Sequence, residues 1–273
     1  MKIGSWQFDP ESLLELRLSR IQEALDQRSF GRALGEVEEL LDEHPDHRLG
    51  LFLAGQAALG LGDAMGSMAA FSRCAGTAPR DPTIQLGLAM ASFESAAYTA
   101  ALEAARLSSD LAPALAQGWY YQGLVLERIE HRALAQECFQ RAHKLNPAEA
   151  PLPLELSDGD WNEALKEALR CLPSPFQALY VQVPLCWAEF PTLEHLIADF
   201  PPLSPMSGAL YIGKLPGEDA DPWQNLPTEV RLYRGNLRHP TPLGSSLVER
   251  ITAALLHEAM SWTGAAAEDI LPD

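Results

Sequence analysis

A histidine and a glutamate stand side by side near the end of the chain, at His257 and Glu258. In zinc-dependent hydrolases, the pattern His-Glu-x-x-His on a helix places two imidazoles one turn apart, where they bind the metal, and the glutamate acts as general base. Ser261 occupies the position of the second histidine. A serine hydroxyl is a neutral, weakly basic donor that does not replace imidazole on zinc. The chain therefore retains one predicted zinc ligand, His257, and one predicted general base, Glu258.

The elements that would position these residues are predicted from the hydrophobic pattern and from proline and glycine. An amphipathic helix from Leu247 to about Thr263 carries the His-Glu pair. Ser157 or Asp158 caps an earlier helix, from about Trp161 to Cys171. Three strands and one short helix lie between these two helices, the strands at Ala178–Val183, Gly208–Gly213 and Glu229–Tyr233 and the helix at Thr192–Phe200. We expect a small α+β domain over residues 160–273, after a short proline-bearing linker at 151–159.

The order of short motifs across residues 160–270 resembles the small bacterial zincin-like metallopeptidases, also described as minimal matrix-metalloprotease-like domains. The matching segments are Leu172-Pro173, Gly-Ala-Leu-Tyr-Ile-Gly at 208–213, Leu226-Pro227, Leu232-Tyr233-Arg234, His257-Glu258 and Gly264. The resemblance implies a second histidine where Ser261 stands and an acidic third ligand near Ala267, with Glu268 and Asp269 close by but out of register. We therefore expect a zincin-like domain that has lost its metal and its peptidase activity.

The first half of the chain has a repeat of fixed length. Prolines at Pro45, Pro79, Pro113 and Pro147 follow one another at intervals of 34 residues, which is the period of the tetratricopeptide repeat (TPR). The repeats are predicted at 14–47, 48–81, 82–115 and 116–149. Small and apolar residues recur at the positions where the two helices of such a hairpin pack together. Residues 1–150 thus resemble a TPR domain, and the predicted fold class is an all-α TPR superhelix followed by a small α+β zincin-like domain.

The first helices of TPR hairpins line a concave groove, and here the groove positions are apolar and aromatic. They include Phe52, Leu86, Met90, Phe93, Tyr120 and Leu124. Such a groove suits an amphipathic helix or an extended apolar segment of a protein partner. The groove positions contain no Lys, Arg or Asn, so we do not expect the terminal-carboxylate binding of chaperone-binding TPR proteins. A second possibility remains open, in which Trp6 and Phe8 of the same chain, or its second domain, fill the groove.

Charge and cysteine content limit the remaining functions. The net charge is −17, and both halves are acidic, with 13 basic and 20 acidic residues before position 151 and 7 and 17 after it. Nucleic acid and anionic membranes need a basic surface, so we expect neither as a partner, and no stretch has the apolar length of a membrane span. The four cysteines show no Cys-x-x-Cys spacing, which favours buried, reduced thiols in a cytoplasmic protein.

Three functions follow from these features. The first is a non-enzymatic adaptor that binds a protein or peptide through the TPR groove and needs no cofactor. The second is an active zinc metallopeptidase that uses His257, Glu268 or Asp269, and a remote histidine such as His195 or His239, with Glu258 as base. The third is a chaperone or inhibitor of a protein partner. The damaged motif places the adaptor first, and the sequence does not predict an oligomeric state.

Overall fold

A computed structural model describes residues 10–198, 202–213, 221–241 and 244–264. Its contacts divide the chain into two compact units, Met1–Leu145 and Asn146–Asp273. Trp6 and Phe8, which were suggested as groove fillers, lie outside the described residues, as do Glu268 and Asp269. Within the described residues, no helix is long and apolar enough to cross a membrane.

The first unit is a row of helical hairpins. Its helices are α1 (Pro10–Asp26), α2 (Phe30–Glu43), α3 (Arg48–Gly60), α4 (Ala64–Thr77), α5 (Pro82–Glu94), α6 (Tyr98–Leu111), α7 (Ala116–Arg128) and α8 (Arg132–Leu145). Helices α2, α4, α6 and α8 each begin 34 residues after the previous one, and so do α3, α5 and α7. The structure therefore confirms a TPR-like repeat array with the predicted period.

Close approach of the hairpins depends on glycines that face phenylalanine rings. Phe71 is 1% exposed, and its ring lies between α3 and α5. A Cβ atom built on Gly55 would come within 2.6 Å of this ring, and one on Gly87 within 2.4 Å. Gly123 stands in the same relation to Phe139, at 2.5 Å. These contacts explain why small residues alternate with large ones in the predicted packing positions.

The turn inside each hairpin has one residue in the left-handed region, again with a period of 34. Gly62 has φ 77°, and Arg28, Ala96 and Glu130 have φ 57°, 55° and 65°. The next residue in each turn donates its backbone N–H to a carbonyl five residues back, as Asp63 does to Ala58. This bond satisfies a carbonyl at the end of the first helix. The conformation costs about 1–2 kcal/mol for a residue with a Cβ atom.

One substitution, glycine to alanine, should have opposite effects at two positions of this unit. Gly62→Ala is expected to lower the free energy of unfolding by about 1 kcal/mol, because alanine must adopt the left-handed conformation. Gly31→Ala in α2, where a Cβ atom meets nothing within 4 Å, is expected to raise it by about 0.5–1 kcal/mol. Urea denaturation followed by circular dichroism measures both, and equal signs would contradict the turn assignment.

The second unit combines helices with a small sheet. Its elements are α9 (Asp158–Cys171), α10 (Ser174–Gln182), β1 (Leu185–Ala188), α11 (Leu193–Leu196), β2 (Ala209–Ile212), β3 (Glu229–Tyr233), α12 (Arg234–Leu237) and α13 (Leu247–Thr263). The strand order is β1-β3-β2, with β1 parallel and β2 antiparallel to β3. Helices α9, α10 and α13 bury one face of the sheet, so that Val230 and Leu232 of β3 are fully buried. The strand order places β2 at one edge of the described sheet.

Several predicted elements of this unit are confirmed. Helix α9 begins after Ser157, whose side chain forms a capping box with Asp160, and α13 has the predicted bounds. Strands β2 and β3 lie within the predicted ranges. The helix predicted at Thr192–Phe200 is shorter, because α11 ends at Leu196, and the end of its predicted range lies outside the described residues.

The strand predicted at Ala178–Val183 is wrong, because residues 174–182 form helix α10. Phe176, Leu179, Tyr180 and Val183 are all buried, and their spacing places them on one side of a helix. Pro175 in the first turn favours the start of a helix. Branched and aromatic composition suggested a strand, but tertiary packing of this apolar stripe decided the conformation. The parallel strand β1, which follows Pro184, was not predicted.

The cysteines differ from the expectation of buried thiols. All four are free, but only Cys74 is buried, whereas Cys138 is half-buried and Cys171 and Cys186 are exposed. The Cys74 thiol donates to the Arg48 carbonyl oxygen over 3.4 Å, and Ser108, one repeat later, donates to the Pro82 carbonyl oxygen over 2.8 Å. Burial raises the pKa of the Cys74 thiol. Cys74 therefore makes a hydrogen bond that a serine hydroxyl makes in the next repeat.

Candidate functional site

A pocket opens between the first turns of α3 and α5, on the side predicted to form the groove. Its volume is about 290 Å³. Its walls are formed by Arg48, Leu49, Phe52, Asp81, Thr83 and Ile84. Leu49 is 46% exposed, and Phe52 is half-buried with its ring edge-on to Phe71, at 5.6 Å between centroids. The pocket therefore presents an apolar surface that is held in place by the repeat core.

Capping interactions fix the two helix ends that border this pocket. The Asp81 carboxylate accepts the backbone N–H groups of Thr83 and Ile84, at 2.9 and 3.3 Å, which is the usual stabilisation of a helix N-terminus. His47 Nδ1 accepts the N–H of Gly50 over 3.1 Å. Burial, followed by the neighbouring His44, lowers the pKa of His47 and so favours the neutral ring that this bond requires. Arg48, beside His47, adds a cation to the pocket wall.

The six predicted groove residues differ in their accessibility. Leu86, Phe93 and Leu124 are buried, with 5%, 0% and 2% exposure. Phe52, Met90 and Tyr120 are half-buried. A ligand would therefore reach the second three more readily than the first three. Of the six, only Phe52 lines the pocket between α3 and α5.

Aromatic packing accounts for part of this burial. The Phe93 ring lies 5.9 Å from Tyr98 and 6.1 Å from Tyr121, measured between centroids. The Arg128 guanidinium is 5.4 Å from the centre of the same ring. Burial, with a smaller contribution from the Glu127 carboxylate, raises the pKa of Tyr120 to about 12. These side chains thus form an aromatic cluster that packs within the repeat unit, and the Tyr120 hydroxyl in it stays protonated.

The His-Glu pair on α13 does not point in one direction. His257 and Ser261 are exposed, whereas Glu258 is 8% exposed. The carboxylate of Glu258 accepts the backbone N–H of Tyr211 over 3.0 Å. Because β2 is at the edge of the described sheet, this bond satisfies an amide that has no partner strand on that side among the described residues. In this structure the predicted general base therefore stabilises the edge of the sheet by a hydrogen bond.

The surroundings of Glu258 favour the neutral form of its carboxyl group more than bulk water would. Burial raises its pKa to about 7, and the hydrogen bond from Tyr211 only partly opposes this shift. Two phenols lie nearby: the Tyr211 hydroxyl donates to that of Tyr180 over 2.7 Å, and Tyr180 donates to the Leu255 carbonyl oxygen. Burial raises the pKa of both phenols. The Glu258 carboxyl group therefore lies beside two hydrogen-bonded phenols beneath β2, where its charged form is disfavoured.

The donors available for a metal ion are few. Across the described ranges, no group of three or more His, Cys, Asp or Glu side chains has an arrangement that could hold a metal. Of the predicted set, His257 lies next to Ser261 on the exposed side of α13, and Glu258 is turned inward. Glu268 and Asp269 lie outside the described residues, so their distance from His257 stays a prediction. Of the remote histidines suggested as ligands, His195 has its Nε2 atom 3.3 Å from the Arg231 guanidinium, and His239 is buried.

Of the six residues that line the pocket, sequence reasoning missed Asp81, which caps α5, as well as Arg48 and Ile84, which adjoin the predicted groove positions Leu49 and Thr83. Arg48 and Ile84 both lie in the first turn of a helix, where neighbouring residues all reach the same opening. It also missed the contact between Glu258 and Tyr211. The signal for that contact is the helical phase, since Glu258 follows Leu255 by three residues and Ile251 by seven. Both of these apolar residues are fully buried.

Two solved structures illustrate what this chain is similar to. A MamA fragment from Desulfovibrio magneticus RS-1 is 24% identical with a TM-score of 0.46, and the match covers 50% of this chain and 77% of that one. TTC0263, a thermophilic TPR protein of Thermus thermophilus, is 20% identical with a TM-score of 0.47, and the match covers 57% of this chain and 89% of that one. No family model and no curated protein matches the chain.

Proposed function

We propose that this chain is a protein-interaction module that binds an apolar peptide segment of a partner through its helical repeats. The observation that carries the proposal is the pocket of about 290 Å³ between α3 and α5. Leu49 is exposed at this pocket, and the half-buried Phe52 rests with its ring against the buried Phe71. A concave apolar site on a rigid scaffold is the usual form of a peptide-binding groove. An adaptor role needs no chemistry beyond this contact.

We further propose that the second unit is a zincin-like domain without catalytic zinc. Two features support the absence of catalytic zinc. A neutral hydroxyl at Ser261 does not fit a zinc site, and a carboxylate that is buried and bonded to the Tyr211 amide is not free to activate water. Imidazole from His257 alone binds zinc too weakly to retain it. The donors within the described residues therefore do not fit a catalytic metal, and we propose no metal-dependent reaction at α13.

We also propose that the protein works in the cytoplasm. The support is the state of its cysteines, which are free at all four positions, two of them exposed. Exposed free thiols are uncommon in oxidising compartments, where they form disulfides.

Leu49→Glu is expected to weaken binding of an apolar peptide at least about tenfold, or about 1.4 kcal/mol. The substitution places a charge in the pocket, where an apolar ligand leaves it poorly solvated. Leu49 is 46% exposed, so the fold should tolerate the change. Peptides selected from a random phage-displayed library against the full chain would be synthesised, and their affinity measured by fluorescence anisotropy.

Leu107→Glu is the matched control, because Leu107 is 38% exposed on α6 and does not line the pocket. It should leave the affinity unchanged. Selection of no apolar sequence, or equal losses from Leu49→Glu and Leu107→Glu, would count against the proposed pocket.

A further inference from the structure

A second and larger cavity lies along the last hairpin of the array. Its volume is about 550 Å³, which is within the range of about 300–1,000 Å³ that is usual for ligand pockets. One wall is Trp119 of α7, and the rest belongs to α8, with Glu137, Cys138, Gln140, Arg141, Lys144 and Leu145. It shares no residue with the pocket between α3 and α5. The proposed function above makes no use of it.

The aromatic wall of this cavity is fixed from two sides. The Trp119 indole N–H donates to the Pro113 carbonyl oxygen over 3.1 Å. Gln85, one repeat earlier, makes the equivalent bond to Pro79 over 3.0 Å. The Arg141 guanidinium lies 4.3 Å from the centre of the Trp119 ring, a cation–π contact that restricts the long side chain. An oriented cation therefore stands at the cavity before any ligand arrives.

The charge of the lining is opposite to that of the chain. The protein carries −17, but the cavity has the two cations Arg141 and Lys144 against the single carboxylate of Glu137. Burial, followed by the Glu137 carboxylate, raises the pKa of the Cys138 thiol, and the Arg106 and Arg141 guanidinium groups oppose this shift with smaller effects. Arg106 therefore adds to the positive charge near the cavity. A ligand with one or two carboxylates complements this lining.

The rest of the lining is apolar or neutral. Leu145 is 41% exposed, and the Cys138 thiol is half-buried. Beside them, the Gln140 side-chain amide offers both donors and an acceptor. These groups fit an apolar side chain and a peptide backbone next to the carboxylates.

We propose that this cavity binds a short acidic segment of a partner protein, with its carboxylates on Arg141 and Lys144 and an apolar side chain between Trp119 and Leu145. Nucleic acid fits less well, because its dense phosphate charge needs a larger excess of cations and would face Glu137. The site is a second contact surface of the array. It gives the chain two separate peptide sites of different chemistry.

The test uses the full chain with Cys171→Ser and Cys186→Ser, so that Cys138 is the accessible thiol. The probe is the blocked peptide Gly-Glu-Leu-Asp-Leu-Glu-Gly, and its counterpart has Gln and Asn in place of Glu and Asp. We expect the acidic peptide to bind with Kd below about 1 mM, to slow alkylation of Cys138, and to bind less tightly as salt rises. The neutral peptide should bind at least about tenfold more weakly.

Arg141→Gln and Lys144→Gln should each weaken the acidic peptide about tenfold. Arg132→Gln removes a cation from the same helix outside the lining and should change nothing. Because Lys144 is exposed, its substitution should keep the fold even if Arg141→Gln disturbs Trp119. No binding at about 1 mM, equal binding of both peptides, unprotected Cys138, or tighter binding of an oligothymidylate with the same variant dependence would overturn the proposal.

Discussion

Phe71→Ala is expected to lower the free energy of unfolding of the repeat unit by about 3–5 kcal/mol. The Phe71 ring is 1% exposed and lies against the backbone of Gly55 and Gly87. Its loss leaves a cavity that neither glycine can fill, and it removes contacts both within a hairpin and to the next one. Urea denaturation followed by circular dichroism would show an early transition for this unit.

The control for this prediction is Leu107→Ala. Leu107 is 38% exposed on α6, so its truncation should change the stability by less than about 0.5 kcal/mol. A loss below about 1 kcal/mol for Phe71→Ala would mean that the hairpins do not depend on this ring.

Glu258→Gln is expected to stabilise the second unit at alkaline pH. Burial raises the pKa of Glu258 from 4.5 to about 7, so the folded state holds this proton more tightly than the unfolded state. This proton's contribution to the free energy of unfolding is fully present below pH 4.5 and is lost as the pH rises toward 7. The total loss is about 3 kcal/mol. Glutamine keeps an oxygen acceptor for the Tyr211 amide and carries no charge. The variant should therefore exceed the parent by up to about 3 kcal/mol at pH 8 and by little at pH 4.5.

His257→Gln is the matched control, because His257 is the exposed neighbour of Glu258 on the same helix. It should not reproduce the pH-dependent gain. Equal stability of Glu258→Gln and the parent across this pH range would show that the carboxylate is solvated, as a general base beside water would be.

The repeat unit could be predicted almost completely from its sequence. The spacing of Pro45, Pro79, Pro113 and Pro147 fixes the hairpin length, and small residues such as Gly55 mark the places where helices approach. Each of these signals is local and repeated, so an error in one repeat is corrected by the others. The left-handed turn residues were not predicted, because only Gly62 among the four carries the usual sequence signal.

The second unit was harder to predict because each of its signals occurs once. Ala178–Val183 has the composition of a strand, but the buried stripe through Phe176 and Tyr180 makes it helical. Strand β1 is four residues long and pairs with β3, which is distant in sequence. Single-sequence patterns say little about such non-local pairing.

The direction of Glu258 illustrates how a motif and a helical phase can disagree. The His-Glu pattern suggested a catalytic base, whereas the spacing from Ile251 and Leu255 places Glu258 on the buried side of α13. The accessibility of the groove residues was beyond sequence reasoning, because burial of Leu86 and Leu124 depends on the three-dimensional packing of the whole array.

The zinc content of the untagged full chain tests the central claim most directly. The protein would be expressed with added zinc, dialysed, and measured by mass spectrometry of metals, with His257→Ala beside it. If the chain acts by binding and not by catalysis at α13, the parent should hold far less than one zinc ion per molecule, and His257→Ala should not change the value. One zinc ion per molecule, lost in His257→Ala, would contradict the account.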